Sequence, residues 1–250
     1  MSVTRLTIAY DGAPFAGWAA QPELRTIQGE LEAVLETILQ RPVPLSVAGR
    51  TDAGVHAWGQ VASFAIDGEV PDALARRMNT MLPQEIAVLE AEPAPDGFDA
   101  RCDARSRTYC YWVIDGPVRN PLQKGRAFWW PYPVDADLLD ECGSLILGTH
   151  DFRAFTPTQT EHVRFERDIL RAEWLAHPLG EPFPGRLLEF WIEADAFMRH
   201  MVRVLLGTML DVAQGRRTIE DFESLLSGAP RERAGETAPA HGLYLASVRY

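Results

Sequence analysis

The segment in which residue types and spacing most directly indicate chemistry is residues 49–57, GRTDAGVHA. Two glycines bracket Asp52, so the backbone can turn sharply there and present a single carboxylate. Arg50 lies two residues earlier and can reach a phosphate or an unstacked base. His56 follows four residues after the carboxylate. Such a group is suited to nucleophilic or acid–base work. The other interpretation is an ordinary Asx turn, in which Asp52 bonds to its own backbone.

A second charged group, Arg203, falls within a predicted apolar helix over residues 200–212. It shares a helical face with apolar residues such as Leu206 and Leu210, so its guanidinium is expected in apolar surroundings. A buried guanidinium needs a counter-charge, because an unpaired one costs about 3–5 kcal/mol. A carboxylate in a dry pocket likewise stays ionised only beside a cation. The alternative is that Arg203 extends to solvent beside Arg199.

Tyr109 lies in a predicted strand over residues 106–114, SRTYCYWVI, where every second side chain faces the same way. Packing in a protein core explains such an aromatic residue without any further role. Tyr111 and Trp112 fit that explanation too.

The elements that must position these residues are visible as two passes along the chain. In the first pass, Thr26 is expected to cap a helix with apolar residues at helical spacing. Its predicted strands are residues 4–10, 45–48, 60–66 and 86–92, and its helices are residues 27–39 and 72–81. Residues 93–97 then break the pattern with proline, aspartate and glycine.

The second pass resembles the first, with one additional helix. Its predicted strands are residues 106–114, 169–175, 187–195 and 244–250, and its helices are residues 136–147, 200–212 and 219–226. Residues 178–185 are expected to form an exposed loop between strands. The order strand, helix, strand, strand, helix, strand therefore occurs about twice. This favours an α+β fold with two similar α/β halves sharing one sheet, residues 1–100 and residues 101–250.

Composition limits the class of protein. The 250 residues are 46% hydrophobic, which is enough for a folded globular chain. No run of 18 apolar residues predicts a membrane-spanning helix, and the first ten residues do not resemble a secretory signal. Three cysteines without a CxxC pair argue against a disulfide framework or a thiolate zinc site. These features favour the cytosol.

The net charge of −11 points at first away from nucleic acid, because phosphate contacts need cations. A local basic cleft can nevertheless lie on an acidic body. The cations are almost all arginine, and Lys124 is the single lysine. Arginine suits bidentate phosphate contacts and base stacking. A GC-rich genome would explain the same bias.

The motif at residues 49–57 resembles the signature of tRNA-modifying pseudouridine synthases of the TruA type, and further motifs follow in the family's order from about residue 4 to residue 250. These are YDGAPFAGW at 10–18, Leu82-Pro83 before Ile86, FDAR at 98–101, RTY at 107–109, GTHDF at 148–152, HMVR at 200–203, Ala238-Pro239 and GLYL at 242–245. The sequence departs from the family pattern at Ala19, Ala20 and His241, positions that concern RNA contact rather than the reaction.

This resemblance implies a mixed, mostly antiparallel sheet with a central cleft and an enzyme that isomerises uridine to pseudouridine. The implied substrate is the anticodon stem-loop of tRNA, at positions 38–40, bound by a cytoplasmic homodimer that needs no cofactor. The resemblance assigns the catalytic carboxylate to Asp52 and its ion-pair partner to Arg203. It places Tyr109 against the target base, Arg50 beside the flipped nucleotide and Leu245 in an apolar wall. Other arginines, among them Arg101, Arg105 and Arg107, are candidates for contact with the tRNA backbone.

Three alternatives compete with this hypothesis. A metal-dependent hydrolase could use His56, His150, Asp151, His200 and His241, but no HExxH or similar spacing is present. A non-catalytic RNA-binding module would retain the fold, but the joint presence of Asp52, Tyr109 and Arg203 argues against lost activity. A redox or nucleotide-binding enzyme lacks both a GxGxxG after a strand and a P-loop.

Overall fold

A computed structural model describes residues 2–67, 70–159 and 163–250 of the chain. The chain forms two compact units, Met1–Arg107 with Tyr244–Tyr250, and Thr108–Leu243. The final strand thus belongs with the N-terminal unit. The predicted division into domains at residue 100 stays a prediction.

Strands and helices are interspersed along the chain, with several strands following one another directly. Within the described residues the strands are β1 (Ser2–Tyr10), β2 (Ser46–Val47), β3 (His56–Ile66), β4 (Ile86–Ala94), β5 (Ser106–Asp115), β6 (Phe128–Trp130), β7 (Gly148–Asp151), β8 (Glu166–Pro178), β9 (Arg186–Ala194) and β10 (Leu243–Arg249). The α-helices are α1 (Ile27–Leu39), α2 (Leu74–Met81), α3 (Ala136–Leu145), α4 (Met201–Ala213) and α5 (Ile219–Ser224).

The first unit has the strand order β4-β1-β3-β10, with β2 added on β3. Strand β1 is antiparallel to both β3 and β4, whereas β10 runs parallel to β3. Helix α1 begins where the sequence predicted, because the Thr26 hydroxyl accepts the Gly29 N–H at 3.2 Å. The helix buries Ile27, Leu31 and two further apolar residues on one face.

Strands β3 and β4 are among those that differ from the predicted bounds. Strand β4 continues through Pro93 to Ala94, although proline was expected to end it. Proline is tolerated because β4 stands at the end of the strand order, where a missing N–H breaks no ladder. Strand β3 begins at His56, four residues earlier than predicted, so it starts almost directly after Asp52.

The second unit places β5, β9, β8 and β7 side by side, with β6 parallel to β5. Strands β7, β8 and β9 are antiparallel neighbours. The three-residue β6 and four-residue β7 were missed in the sequence, since such short segments show too few alternations. Helix α4 buries ten of its residues, and α3 packs against α4, α5 and β8.

These elements confirm the predicted α+β class and the mixed, mostly antiparallel pairing of strands. The segment between β8 and β9 is an exposed loop, as predicted. Among the residues described, no helix is both long and apolar enough to cross a membrane.

Candidate active site

The loop between β2 and β3 presents Asp52 from a tightly held backbone. The Trp18 N–H donates to the Thr51 carbonyl at 3.0 Å, and the Val55 N–H donates to the Asp52 carbonyl at 3.1 Å. Gly54 adopts a φ of 79°, the left-handed conformation that closes this turn. Thr51 and Val55 are buried, whereas Asp52 is half-buried. The carboxylate thus lies at the boundary between a fixed backbone and solvent.

A second segment, residues 11–18, packs so closely against this loop that its two glycines have no room for a side chain. A Cβ atom on Gly12 would lie 2.0 Å from the Val55 carbonyl oxygen, and one on Gly17 would lie 3.0 Å from the Thr51 carbonyl oxygen. Gly17 also has a φ of 102°. The glycines of the YDG and GW motifs are therefore required by close approach of two backbones.

Buried polar side chains lie behind the loop. The Tyr10 hydroxyl is 2.8 Å from the Thr51 Oγ1 atom, and Gln60 Nε2 is 3.3 Å from the Tyr10 oxygen. The same amide nitrogen donates to the Gly49 carbonyl at 2.7 Å. Burial raises the pKa of Tyr10 to about 12, against the opposing effect of hydrogen bonds with Thr51 and Gln60. Tyr10 therefore remains a neutral phenol at physiological pH.

His56, at the start of β3, contacts residues 11–12 and also Tyr244 of β10. Its Nδ1 atom accepts the Gly12 N–H at 3.1 Å and is also 3.1 Å from a carboxylate oxygen of Asp11. One nitrogen cannot accept from Gly12 and donate to Asp11 at once, so only the protonated ring would form the ion pair. The face of the ring stacks on Tyr244, with centroids 4.8 Å apart.

Leu245 and Arg50 lie in the same unit as Asp52. Leu245 is fully buried and pairs with Ala57 in the parallel β10–β3 ladder, one residue after the Tyr244–His56 pair. Arg50 is exposed two residues before Asp52.

Arg107, one of the candidate cations, is bonded to main-chain carbonyls of its own unit. Its guanidinium donates to Ala48 at 2.7 and 3.1 Å, to Ala104 at 3.0 Å and to Arg101 at 3.0 Å. These bonds give Arg107 a structural role in joining the strand β2 region to the start of β5.

In the second unit, Arg203 is half-buried on the first turn of α4. Its Nε atom donates to the Ala238 carbonyl at 2.7 Å, and the Ala238 N–H donates back to the Arg203 carbonyl at 3.1 Å. The next carbonyl, that of Pro239, accepts a bond of 2.6 Å from the buried Tyr111 hydroxyl. The conformation of the Ala-Pro motif is thus set by bonds from an arginine and a tyrosine.

Tyr109 also lies in the second unit. It is only 8% exposed and meets Phe197 edge to face, with ring centroids 5.1 Å apart. This contact restricts the orientation of the tyrosine ring.

The structure thus places Asp52, Arg50 and Leu245 in the first unit and Tyr109 and Arg203 in the second. Sequence reasoning missed Tyr10 and Gln60 as partners of the loop. The available signal was a glutamine inside an apolar strand, at a position that is fully buried. Across the described ranges, histidine, cysteine, aspartate and glutamate side chains form no group of three or more that could hold a metal ion.

Comparison with known proteins gives a consistent result. A sequence model for the family described as tRNA pseudouridine synthase matches residues 6–103 and 144–250. The chain is 42% identical to a tRNA pseudouridine synthase A from Frankia casuarinae, covering 98% of this chain and 88% of the relative. It is 40% identical to one from Burkholderia multivorans, with the same coverages. It is 37% identical to one from a Geobacillus species, covering 98% and 97%.

Proposed function

Because the chain belongs to the tRNA pseudouridine synthase family and is an isomerase acting on tRNA, we propose that Asp52 is its catalytic carboxylate. We further propose that the target uridines lie in the anticodon stem-loop and that no cofactor takes part. The observation that carries the proposal is the loop itself. The loop lies within the residues that match the family model. It presents the half-buried Asp52 carboxylate from a backbone that is hydrogen-bonded on both sides of this residue.

The reaction needs few chemical groups. The bond between the ribose C1′ atom and the uracil N1 atom breaks, the base turns, and C1′ bonds to C5 instead. The C5 proton leaves and N1 gains a proton, so atoms and electrons balance without an oxidant or a phosphoryl donor. A carboxylate that adds to the base or to the sugar, together with proton transfer, is sufficient for this sequence.

The other site residues are proposed to bind the flipped nucleotide. Tyr109 stacks on the uracil, and stacking is worth about 1–3 kcal/mol per base. That offsets much of the cost of extracting the uridine from its neighbours. Arg203 pairs with Asp52 and keeps it ionised, which a water-poor pocket otherwise disfavours. Arg50 contacts the displaced nucleotide, and Leu245 contributes apolar surface.

We propose that the protein works in the cytoplasm as a homodimer. Each subunit supplies part of the tRNA-binding surface. The three unpaired cysteines, Cys102, Cys110 and Cys142, agree with a reducing compartment. The family assignment argues against the metal-dependent hydrolase, the redox enzyme and the inert RNA-binding module.

Asp52→Asn is the direct test. We expect the variant to lose turnover on unmodified tRNA transcript while its tRNA affinity stays within about tenfold of wild type, roughly 1.4 kcal/mol. The amide keeps the shape of the side chain but removes the charge. Pseudouridine is mapped by carbodiimide-dependent primer stops, without added cofactor.

Asp96→Asn is the matched control, since it changes the net charge equally at an exposed turn. It should modify tRNA at the wild-type rate. Undiminished turnover in Asp52→Asn would overturn the assignment of the carboxylate. Stops that map outside the anticodon stem-loop would overturn the proposed substrate site.

A further inference from the structure

We propose that Thr51 is a positioning residue for Asp52, oriented by a buried chain of hydrogen bonds that runs from Gln60 through Tyr10 to the Thr51 hydroxyl. The inference rests on the proposed role of Asp52. It adds three residues to the site that do not touch the substrate and act through the backbone of the loop.

The direction of the Gln60 hydrogen bonds follows from one partner that can only accept. The Gly49 carbonyl can only accept, so the side-chain group of Gln60 that lies 2.7 Å from it must be the NH2. That assignment agrees with Gln60 Oε1, which accepts the Val61 N–H at 3.2 Å. The second hydrogen of the NH2 then points to the Tyr10 oxygen at 3.3 Å.

The Tyr10 and Thr51 hydroxyls share one hydrogen bond of 2.8 Å, in which either oxygen can be the donor. Tyr10 also accepts from Gln60, so its own proton is available for Thr51. Burial raises the pKa of Tyr10 to about 12, so the phenol stays protonated near neutral pH. Thr51 Oγ1 is thus held by a hydroxyl that does not ionise near neutrality.

These hydrogen bonds restrain the loop at two residues near Asp52, which are Thr51 and Gly49. Thr51 is fixed through its hydroxyl by Tyr10 and through its carbonyl by the Trp18 N–H at 3.0 Å. Gly49, three residues before Asp52, is fixed by Gln60. Displacing a reacting group by about 1 Å costs about 100-fold in rate, so restraint at the adjacent residue bears directly on turnover.

Stability alone does not account for these residues. Gln60 is fully buried in β3, and burying an amide is costly unless its bonds are made. An apolar residue of similar size would fill the same space without that cost. The Nε2 bonds of Gln60 instead lead to the Asp52 loop, directly at Gly49 and through Tyr10 at Thr51.

The test is the single-turnover rate of Thr51→Val, with Thr51→Ser as the rescuing variant. Valine keeps the shape of threonine but has no hydroxyl, whereas serine keeps the hydroxyl. The substrate is tRNA carrying tritium at uracil C5, which is released when C5 bonds to ribose. We expect Thr51→Val and Tyr10→Phe to slow the step about 10- to 100-fold. Thr51→Ser should stay within about threefold of wild type, and tRNA affinity should be unchanged in all three.

Tyr250→Phe is the control for a merely structural effect. Its hydroxyl donates to the Ala100 carbonyl at 2.8 Å in the same unit, and not to the Asp52 loop. It should lower the melting temperature about as much as Tyr10→Phe but leave the rate unchanged. Combining Tyr10→Phe with Thr51→Val should slow the step no more than either change alone, because one chain is broken in both.

A wild-type rate in Thr51→Val would overturn the inference, as would equal slowing in Thr51→Ser and Thr51→Val. Asp52→Asn measured in parallel separates this outcome from failure of the proposed function. If Asp52→Asn is inactive and Thr51→Val is fast, only the positioning role is wrong. If Asp52→Asn is active, the role of Asp52 itself is wrong.

Discussion

At the scale of single residues, one residue type serves different purposes in this protein. Arg107 bonds to three main-chain carbonyls, whereas Arg50, in the loop beside Asp52, is exposed. The planar guanidinium with five N–H groups suits the first purpose, because it can serve several acceptors in fixed directions. An ammonium group has no such geometry. The side-chain type alone therefore does not distinguish a structural arginine from an RNA ligand.

Arg107→Lys should lower the free energy of unfolding by about 1–3 kcal/mol, since three carbonyls, among them that of the buried Ala48, lose a donor. Urea denaturation measures the change. Arg105→Lys is the matched control at an exposed neighbouring site and should stay within about 0.5 kcal/mol of wild type. If Arg107→Lys were as stable as the wild type, the structural role of these main-chain bonds would be wrong.

At the scale of elements, helix α4 is held against the segment of residues 235–239 with very little space. A Cβ atom on Gly207 would lie 2.0 Å from the Glu236 carbonyl oxygen. The buried Thr208 hydroxyl accepts the Gly235 N–H at 3.0 Å. This close approach lets Arg203 reach the Ala238 carbonyl. The helix therefore fixes the Ala-Pro motif by contact along its side as well as through Arg203.

Gly207→Ala should destabilise the protein by about 1–3 kcal/mol and reduce turnover, because the segment must move away from α4. Gly143→Ala in α3 is the matched control, since its Cβ atom would have its nearest neighbour at an ordinary 3.5 Å. That change should be neutral or stabilise by up to about 1 kcal/mol, because alanine is the better helix former. Thermal and urea unfolding report both. Equal stability of the two variants would contradict the packing argument.

At the scale of the whole molecule, an acidic protein acts on a polyanion. The chain has 35 acidic and 24 basic residues, which gives a net charge of −11. Overall charge therefore opposes encounter with tRNA, and binding requires a local concentration of arginine. Several arginines form salt bridges with carboxylates, such as Arg5 with Glu92 and Arg216 with Asp211. The arginines that bind RNA are then a subset of those present.

Wild-type affinity for tRNA should fall steeply with salt, by about tenfold or more between 50 and 200 mM, because each phosphate contact releases counterions. Filter binding or fluorescence titration at constant magnesium measures the slope. Asp96→Asn should leave the slope unchanged. That result would show that local contacts rather than the net charge determine the salt dependence. An affinity insensitive to salt would count against a basic binding surface.

The sequence by itself determined the parts of this protein that depend on neighbouring residues. The Thr26 cap and apolar spacing specified α1, and alternation specified β1 and β5. The ordered motifs identified the family, although the requirement behind two of their glycines, the close approach of Gly12 to Val55 and of Gly17 to Thr51, is tertiary. Periodicity and capping are properties of consecutive residues, so they can be predicted without a structure.

Only the tertiary structure decided which distant residues meet. Gln60 and Gly49 are 11 positions apart, Tyr10 and Thr51 are 41 apart, and Arg107 reaches Ala48 across 59. It also decided that the last strand, β10, pairs with β3 at His56 and Ala57, and that β4 tolerates Pro93 at an edge. Such pairings depend on burial and on hydrogen bonds that must be satisfied away from water. Side-chain type does not encode the partner, so only folding selects it.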